Sequence, residues 1–460
     1  MVPLFVDRQR ELEFLENKYK ENRAQLIILY GRRRIGKTEL IKSFMQNKKG
    51  IYHLCTKEGI NDNIKRLQEK MAELTGKNYF KSLNVSLDKL LEYFVDEIGN
   101  EKVVLALDEY QYLLEIDKGI NSILQLAWDE KLSKSNIFLI LLGSSIGMME
   151  NEILGSKSPL YGRRTASWKL TEINFPYLKF FYPNWKIEEI IKTWSILGGI
   201  PYYLNQFNSS LTVEENLRQN VFSKGSVLYN EPLFLLREEF REQRVYLSIL
   251  KAISQGYNTV SKISDYTGLD RSNLTSYLDR LIENEIVIHE IPYQAKRGWY
   301  EIKDNFFDFW FKFVYTNLDY LEIGEINKVI NRIDLTEYFS FKFEKLIREL
   351  IKSGIINLPF KPDIISRYIH KGEEVDIIAE GQGKIFLGEI KWSEKVDYRP
   401  LKKKLERIME GEEKYYGFFA KSFSYCEGLC YDIKKLDNTI SEFLSKSQKN
   451  SYPKRNNSSF

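Results

Sequence analysis

Eight consecutive residues constrain this chain more than any others: Gly31-Arg32-Arg33-Arg34-Ile35-Gly36-Lys37-Thr38. The spacing Gly-x4-Gly-Lys-Thr is that of a loop that wraps a phosphate chain, provided that a strand precedes it and a helix follows. Both conditions hold, because residues 24–30 are a short apolar run of strand length and a helical pattern sets in from Glu39. Gly31 and Gly36 let the backbone approach phosphate oxygens closely. The N–H groups of the loop, through Arg32, Arg33, Arg34 and Ile35, and the helix N-terminus behind it supply positive potential. Lys37 is placed to reach the terminal phosphates of a nucleotide, and Thr38 to ligate Mg2+.

Further apolar runs of strand length occupy residues 103–107 and 137–142, separated by helical patterns at 61–73, 87–98 and 122–131; another helix is expected over 9–22. Nearly continuous apolar strands alternating with helices predict a doubly wound α/β domain with a parallel sheet covered on both faces. Asp108 ends the second of these strands, at the sheet edge beside the phosphate loop, where a carboxylate holds Mg2+ through water. Glu109 is the better candidate to polarise the attacking water. Ser144 and Ser145 follow the third strand, placed either to contact the γ-phosphate or simply to make a turn. Arg163 and Arg164 are candidates for an arginine finger, in cis or from a neighbouring subunit of a homo-oligomer; a solvated basic loop is the alternative.

Composition excludes little beyond this. Lys and Arg total 68 against 64 acids, a net charge of +4 that by itself does not argue for nucleic acid. Cys55, Cys426 and Cys430 are too few for a disulfide framework and suit a reducing interior. The first eight residues are already charged, which argues against a signal peptide, and runs such as 137–143 are far too short for a bilayer. A cytoplasmic protein without membrane contact is expected.

Residues 244–302 read as three helices (245–255, 260–267 and 272–284) with a turn at Gly268, then a hairpin over 286–302. Leu274, Leu278 and Leu281 give the third helix an apolar face. This is the pattern of a winged helix-turn-helix. On DNA, Arg271, Ser272, Asn273, Thr275 and Ser276 would face the major groove and Lys296-Arg297 would lie on the wing. The alternative is a winged helix used for packing within the chain or against proteins.

In the C-terminal part, a helix at 343–349 precedes a strand at 374–379, a Gly381-Gln382-Gly383 turn and a returning strand at 385–391. Glu389 and Lys391 alternate by two and so share a strand face, where Asp376 of the neighbouring strand can meet them. Two carboxylates and a lysine at one sheet edge can bind Mg2+ and activate water against a phosphodiester; a salt-bridged hairpin without catalysis is the alternative.

The segments Phe5-Val6-Asp7-Arg8 with Glu11-Leu12, the 31–38 loop, Leu107-Asp108-Glu109, Gly143-Ser144-Ser145, Pro159-Leu160-Tyr161-Gly162-Arg163-Arg164 and Gly198-Gly199-Ile200-Pro201 together resemble the archaeal and bacterial ATPase family within the AAA+/STAND-like P-loop proteins. The resemblance spans roughly residues 1–235. It implies ATP as the nucleotide, residues 5–8 near the adenine, Arg163 or Arg164 as nucleotide-sensing arginines, and the Gly-Gly-Ile-Pro element in a helical lid. The absence of an Asn-Lys-x-Asp tetrapeptide, which reads guanine, agrees with ATP. The C-terminal signature resembles the restriction-endonuclease-like superfamily and the domain of unknown function fused to this ATPase family. That implies Asp376 and Glu389 as metal ligands, Lys391 as stabiliser and Glu344 as a helix-borne helper. Here Val375, not proline, precedes Asp376; the literal Pro-Asp pair is Pro362-Asp363.

The expected organisation is therefore a P-loop ATPase core (1–180), a helical lid (181–237), a winged helix (238–305), a nuclease-like α/β domain (306–445) and a disordered tail (446–460). The expected function is ATP hydrolysis, with Mg2+, coupled to a C-terminal half that binds DNA and, if its site is active, cleaves it. The competing expectation is a nucleotide-driven switch whose C-terminal domains bind protein partners. A small-molecule kinase is disfavoured, since no acceptor pocket or lid motif is recognisable.

Overall fold

In the computed structural model, which describes residues 5–370, 372–408 and 413–451, the apolar runs become one parallel sheet. Its strands are β1 (Gln25–Tyr30), β2 (Gly50–Leu54), β3 (Val104–Asp108), β4 (Phe138–Gly143) and β5 (Ala166–Lys169), in the order β2-β3-β4-β1-β5. Every neighbouring pair is parallel. The helices are α1 (Gln9–Lys20), α2 (Lys37–Met45), α3 (Ile60–Thr75), α4 (Leu87–Ile98), α5 (Gln111–Ile116) and α6 (Ile120–Glu130). Alternation along each strand splits the core in two. Leu26, Ile28, Leu105, Leu107, Leu139 and Leu141 pack with residues of α3, α4 and α6. Ile27, Leu29, Val104, Ala106, Phe138 and Ile140 pack on the opposite face with residues of α1 and α2. Strands buried on both faces must be apolar at every position, which is why β1, β3 and β4 read as unbroken runs.

The strands that sequence patterning does not reveal are β2 and β5. Both lie at sheet edges. β2 is buried only at alternate positions and β5 at none, so neither needs an apolar run. This unit comprises Phe5–Ile173 with Ile200–Tyr202.

The second unit takes Asn174–Gly199 and the described chain from Tyr203 onward. Helices Gln243–Ser254, Val260–Thr267 and Arg271–Glu283 precede the antiparallel pair β6 (Val287–Glu290) and β7 (Trp299–Ile302). Gly268, at φ 72°, ends the second helix in the left-handed region that glycine tolerates best. Helix Thr336–Lys352 then leads to a mixed sheet: β8 (Ile364–His370), β9 (Glu373–Gly381), β10 (Lys384–Lys391), β12 (Glu413–Ala420) and β14 (Leu429–Tyr431), in the order β14-β12-β10-β9-β8. β11 (Val396–Asp397) and β13 (Phe423–Tyr425) form a small parallel pair beside it. The loop between β6 and β7 docks on the edge strand: Tyr293 N–H donates to the Arg367 carbonyl at 2.7 Å and its hydroxyl to Glu380 at 2.6 Å.

Two expectations change. Cys426 and Cys430 are paired as a disulfide rather than left as thiols, which sets aside the reading of three reduced cysteines; Cys55 is free and buried. The C-terminal helix runs Ile433–Ser451, past position 446 where a disordered tail is expected, because Leu436, Ile440 and Leu444 give it a buried stripe. The rest of that expected tail, residues 452–460, lies outside the described residues.

The core of the second unit holds a charge pair. Lys342 is 1% exposed, lies 2.9 Å from Asp308 and donates to Asn305 Oδ1 at 2.9 Å. Burial pushes its pKa down to about 8, although Asp308 opposes the shift. Asn305 in turn donates to the Trp194 carbonyl at 2.9 Å. Replacing Lys342 with Met strands a buried carboxylate with only the half-buried Lys312 to compensate it. Lys342→Met is expected to cost about 3–5 kcal/mol, measured by urea unfolding, and a second change, Asp308→Leu, to recover part of that loss.

Candidate nucleotide site and C-terminal carboxylate site

The 31–38 loop leaves the end of β1 and closes into α2. Gly31 packs so tightly that a Cβ there would lie 2.6 Å from the Leu170 carbonyl oxygen. Gly36 has φ 94° and Arg34 φ 68°, the bends that turn successive N–H groups inward. Lys37 is buried, and its ammonium donates to the Gly31 and Arg32 carbonyls at 2.9 Å each, bridging the loop. The three arginines have separate anchors. Arg32 pairs with Glu172 at 3.5 Å, Arg33 donates to the Tyr112 hydroxyl at 3.1 Å, and Arg34 lies 4.0 Å over the Tyr202 ring. Arg8, from the 5–8 segment, is buried and donates to the Ile35 carbonyl at 3.1 Å and the Thr171 carbonyl at 2.9 Å. It ties the chain start to the phosphate loop.

The acidic strand end closes on the same loop. Thr38 Oγ1 donates to Asp108 Oδ2 at 2.7 Å, and Tyr52 Oη to the same oxygen at 2.6 Å. Burial, then Asp108, drives the Tyr52 phenol well above its ordinary pKa, so it stays a donor. A hydroxyl and a carboxylate in contact are hard oxygen donors of the kind Mg2+ takes. Glu109 adopts φ 54°, and Ser144 Oγ donates to its Oε2 at 2.6 Å. Gln111 donates both to Ser144 Oγ at 2.8 Å and to Glu109 Oε2.

Sequence reasoning names Ser144 but passes over Gln111 and Tyr52. Tyr52 is missed because β2 is missed. Gln111 stands two residues after Glu109, close enough to have been a candidate. Arg163 and Arg164 are not brought to the loop. Arg163 forks onto Asp129, at 2.7–2.9 Å, and Arg164 donates to the Leu154 carbonyl at 3.2 Å.

In the second unit, the antiparallel register of β9 and β10 brings the C-terminal candidates together. Lys391 Nζ lies 2.9 Å from Glu389 Oε2 and 3.3 Å from Asp376 Oδ2. Lys404, which sequence reasoning does not single out, reaches Glu389 Oε1 at 2.5 Å from helix Tyr398–Glu406. The Ile390 N–H donates to Asp376 Oδ2 at 2.8 Å. Burial resists the charge on Lys391, but Asp376 and Glu389 outweigh it and raise its pKa. Asp363 stands exposed before β8 and takes no part.

Both oxygens of Glu389 are thus held by ammonium groups. Among the described residues no group of three or more His, Cys, Asp or Glu side chains is arranged to hold a metal ion. As folded, the donor set is that of a charge-compensated cluster and does not fit a divalent cation.

Glu344, on helix Thr336–Lys352, faces the same cluster. Burial and then the Asp376 carboxylate raise its pKa to about 7, against Arg367 and Arg348 at 3.5 and 3.9 Å. A carboxyl whose folded pKa exceeds its unfolded value stabilises the fold fully below the unfolded pKa and loses that contribution as pH rises through the folded one. Wild type is therefore expected to lose thermal stability between pH 4.5 and 7 through this group. Glu344→Gln is expected to flatten that part of the profile, read from melting temperatures across the range.

Comparison with known proteins accords with the nucleotide site. Residues 5–207 match the model of an ATPase domain predominantly from Archaea. Residues 310–409 match that of archaeal and bacterial proteins of unknown function. An uncharacterised protein of Methanocaldococcus jannaschii is 34% identical over 455 residues, 94% of this chain and 99% of its own. An uncharacterised ATP-binding protein of that organism is 67% identical over 48 residues, 10% of this chain and 81% of its own. Among solved structures, the Aeropyrum pernix ORC2 protein, as ADPNP–ADP complexes, aligns over 70% of this chain and 96% of its own at 13% identity with a TM-score of 0.48. No described helix is long and apolar enough to cross a membrane. With a relative of this identity along almost its whole length, the chain belongs to the archaeal family of ATPases that carry a C-terminal domain of unknown function.

Proposed function

We propose that this ATPase uses its phosphate loop to drive a DNA-directed C-terminal half. The observation that carries the DNA reading is a set of exposed residues with no ion pair among the described residues: Arg271 at the start of helix Arg271–Glu283, and Lys296 and Arg297 on the hairpin loop. Ser272, Asn273, Thr275 and Ser276 are exposed on that helix, while Leu274, Leu278 and Leu281 are buried. The helix therefore presents polar, base-reading side chains outward and keeps its apolar face in the core. We read the three helices and hairpin as a winged helix on these grounds.

At the nucleotide site, the loop N–H groups and Lys37 would hold the phosphates, and Lys37 would exchange its two carbonyl partners for phosphate oxygens. Mg2+, held by Thr38 and Asp108, would supply charge neutralisation at the terminal phosphates. Tyr52 keeps Asp108 fixed by a hydrogen bond that does not depend on Thr38. Glu109 would orient the attacking water and accept its proton. Arg163, engaged with Asp129 on its own chain, would have to exchange that partner to serve a neighbouring subunit.

A second reading has its own support. The saturation of Glu389 by Lys391 and Lys404 favours a C-terminal domain that binds without cutting, and so a nucleotide-driven switch.

Steady-state ATP hydrolysis with and without duplex and single-stranded DNA, beside a Lys37→Ala control, separates these. DNA stimulation of Lys37-dependent turnover is expected. Turnover indifferent to DNA, with DNA uncut in Mg2+ or Mn2+, moves the assignment to the switch. The triple change Arg271→Ala, Lys296→Ala, Arg297→Ala is expected to weaken DNA binding and to lower the slope of log affinity against log salt by about 2–3, measured by fluorescence anisotropy.

A further inference from the structure

We propose that Gln111 is the positioning residue that orients Glu109 for ATP hydrolysis, which rests on the reading of Glu109 as the group that polarises water. Gln111 is 1% exposed and opens α5. Its amide is used at both ends. The Ser144 N–H donates to Oε1 at 3.3 Å, and Nε2 donates to Ser144 Oγ at 2.8 Å and to Glu109 Oε2. Because a backbone N–H only donates, Oε1 must face Ser144 and Nε2 must face the carboxylate. The network therefore fixes which way the amide points.

The consequence is an asymmetric carboxylate. Oε2 of Glu109 takes the hydrogen bonds from Ser144 and Gln111, while Oε1 accepts none from the described residues. One oxygen is locked by the protein and the other is left to meet a water, the arrangement that a general base needs. Ser144 alone could not impose it, since a hydroxyl turns freely about its bond; the amide holds Ser144 Oγ and Glu109 at once. Glu109 also sits at φ 54°, in the left-handed region, so its backbone is already committed and the side-chain direction is what remains to be set. Glutamine is the side chain that serves here, because the position must accept from one neighbour and donate to another.

The test measures kcat, KM and affinity for a fluorescent ATP analogue in the full chain, for wild type, Gln111→Ala, Gln111→Glu, Glu109→Gln and the double variant Gln111→Ala/Glu109→Gln. Gln111→Ala is expected to lower kcat about 10–100-fold, the range for loss of an oriented base, with KM and analogue affinity within about twofold. Gln111→Glu keeps the shape but removes the donor and sets a second carboxylate against Glu109. It is expected to be at least as impaired, whereas a packing role would be rescued by it. In the Glu109→Gln background, Gln111→Ala is expected to change the residual rate less than about twofold, since its effect passes through Glu109. Unchanged kcat in Gln111→Ala, rescue by Gln111→Glu, or an equal loss in the Glu109→Gln background each overturns the proposal while leaving Glu109 in place. Full turnover by Glu109→Gln overturns the underlying reading of Glu109 and the proposal with it.

Discussion

The nucleotide site depends on a parallel sheet that has to be buried on both sides. Parallel strands lose water from both faces once helices cover them, and this forces apolar residues along β1, β3 and β4. The polar chemistry is then expelled to the ends of the strands. The phosphate loop follows β1, Asp108 closes β3, and Ser144 comes directly after β4. β4 lies between β3 and β1, so the strand that brings Ser144 separates the acid from the loop by two sheet spacings, roughly 10 Å. Thr38, in the first turn of α2, and Asp108 meet across that gap through a 2.7 Å hydrogen bond.

Much of this was legible in the residues because burial leaves a strong pattern. Strands 103–107 and 137–142 and helix 87–98 are read almost to the residue, since each carries a complete apolar face or two. β2 and β5 were not legible for the converse reason: each pairs with a single neighbouring strand, and their sequences, Gly50-Ile-Tyr-His-Leu54 and Ala166-Ser-Trp-Lys169, carry too few apolar positions to stand out. The site shows the same division. The loop and the Asp108-Glu109 pair are each short local patterns, the one recognised by its spacing and the other by its place at a strand end. Tyr52 is brought to Asp108 by strand pairing, as Leu54 stands opposite Asp108 in the register, and no local pattern carries that information. Lys404 is likewise a product of tertiary packing: in sequence it is one of several lysines on an amphipathic helix, and only the placement of that helix beside β10 points it at Glu389.

The two carboxylate sites treat the same functional group in opposite ways. At the nucleotide site Asp108 and Glu109 are held by neutral donors, hydroxyls and an amide, which orient a carboxylate without neutralising it. In the C-terminal sheet Asp376 and Glu389 are met by two ammonium groups. A carboxylate held by neutral donors keeps its attraction for a cation, whereas one matched with lysines has largely spent it. The two clusters therefore differ in what holds their acids, neutral donors in the first and ammonium groups in the second, although both are built from acids on strands of a sheet.

The three arginines of the phosphate loop carry a consequence of their own. Glu172, Tyr112 and Tyr202 belong to three separate stretches of chain, and each is held to the loop through one guanidinium. A triphosphate arriving in the loop brings several negative charges into that circle at once. Those charges would meet an Arg32 that faces a carboxylate and an Arg33 and Arg34 that face aromatic side chains. The residues that wrap the phosphates are thus also the place where three distant stretches of sequence converge.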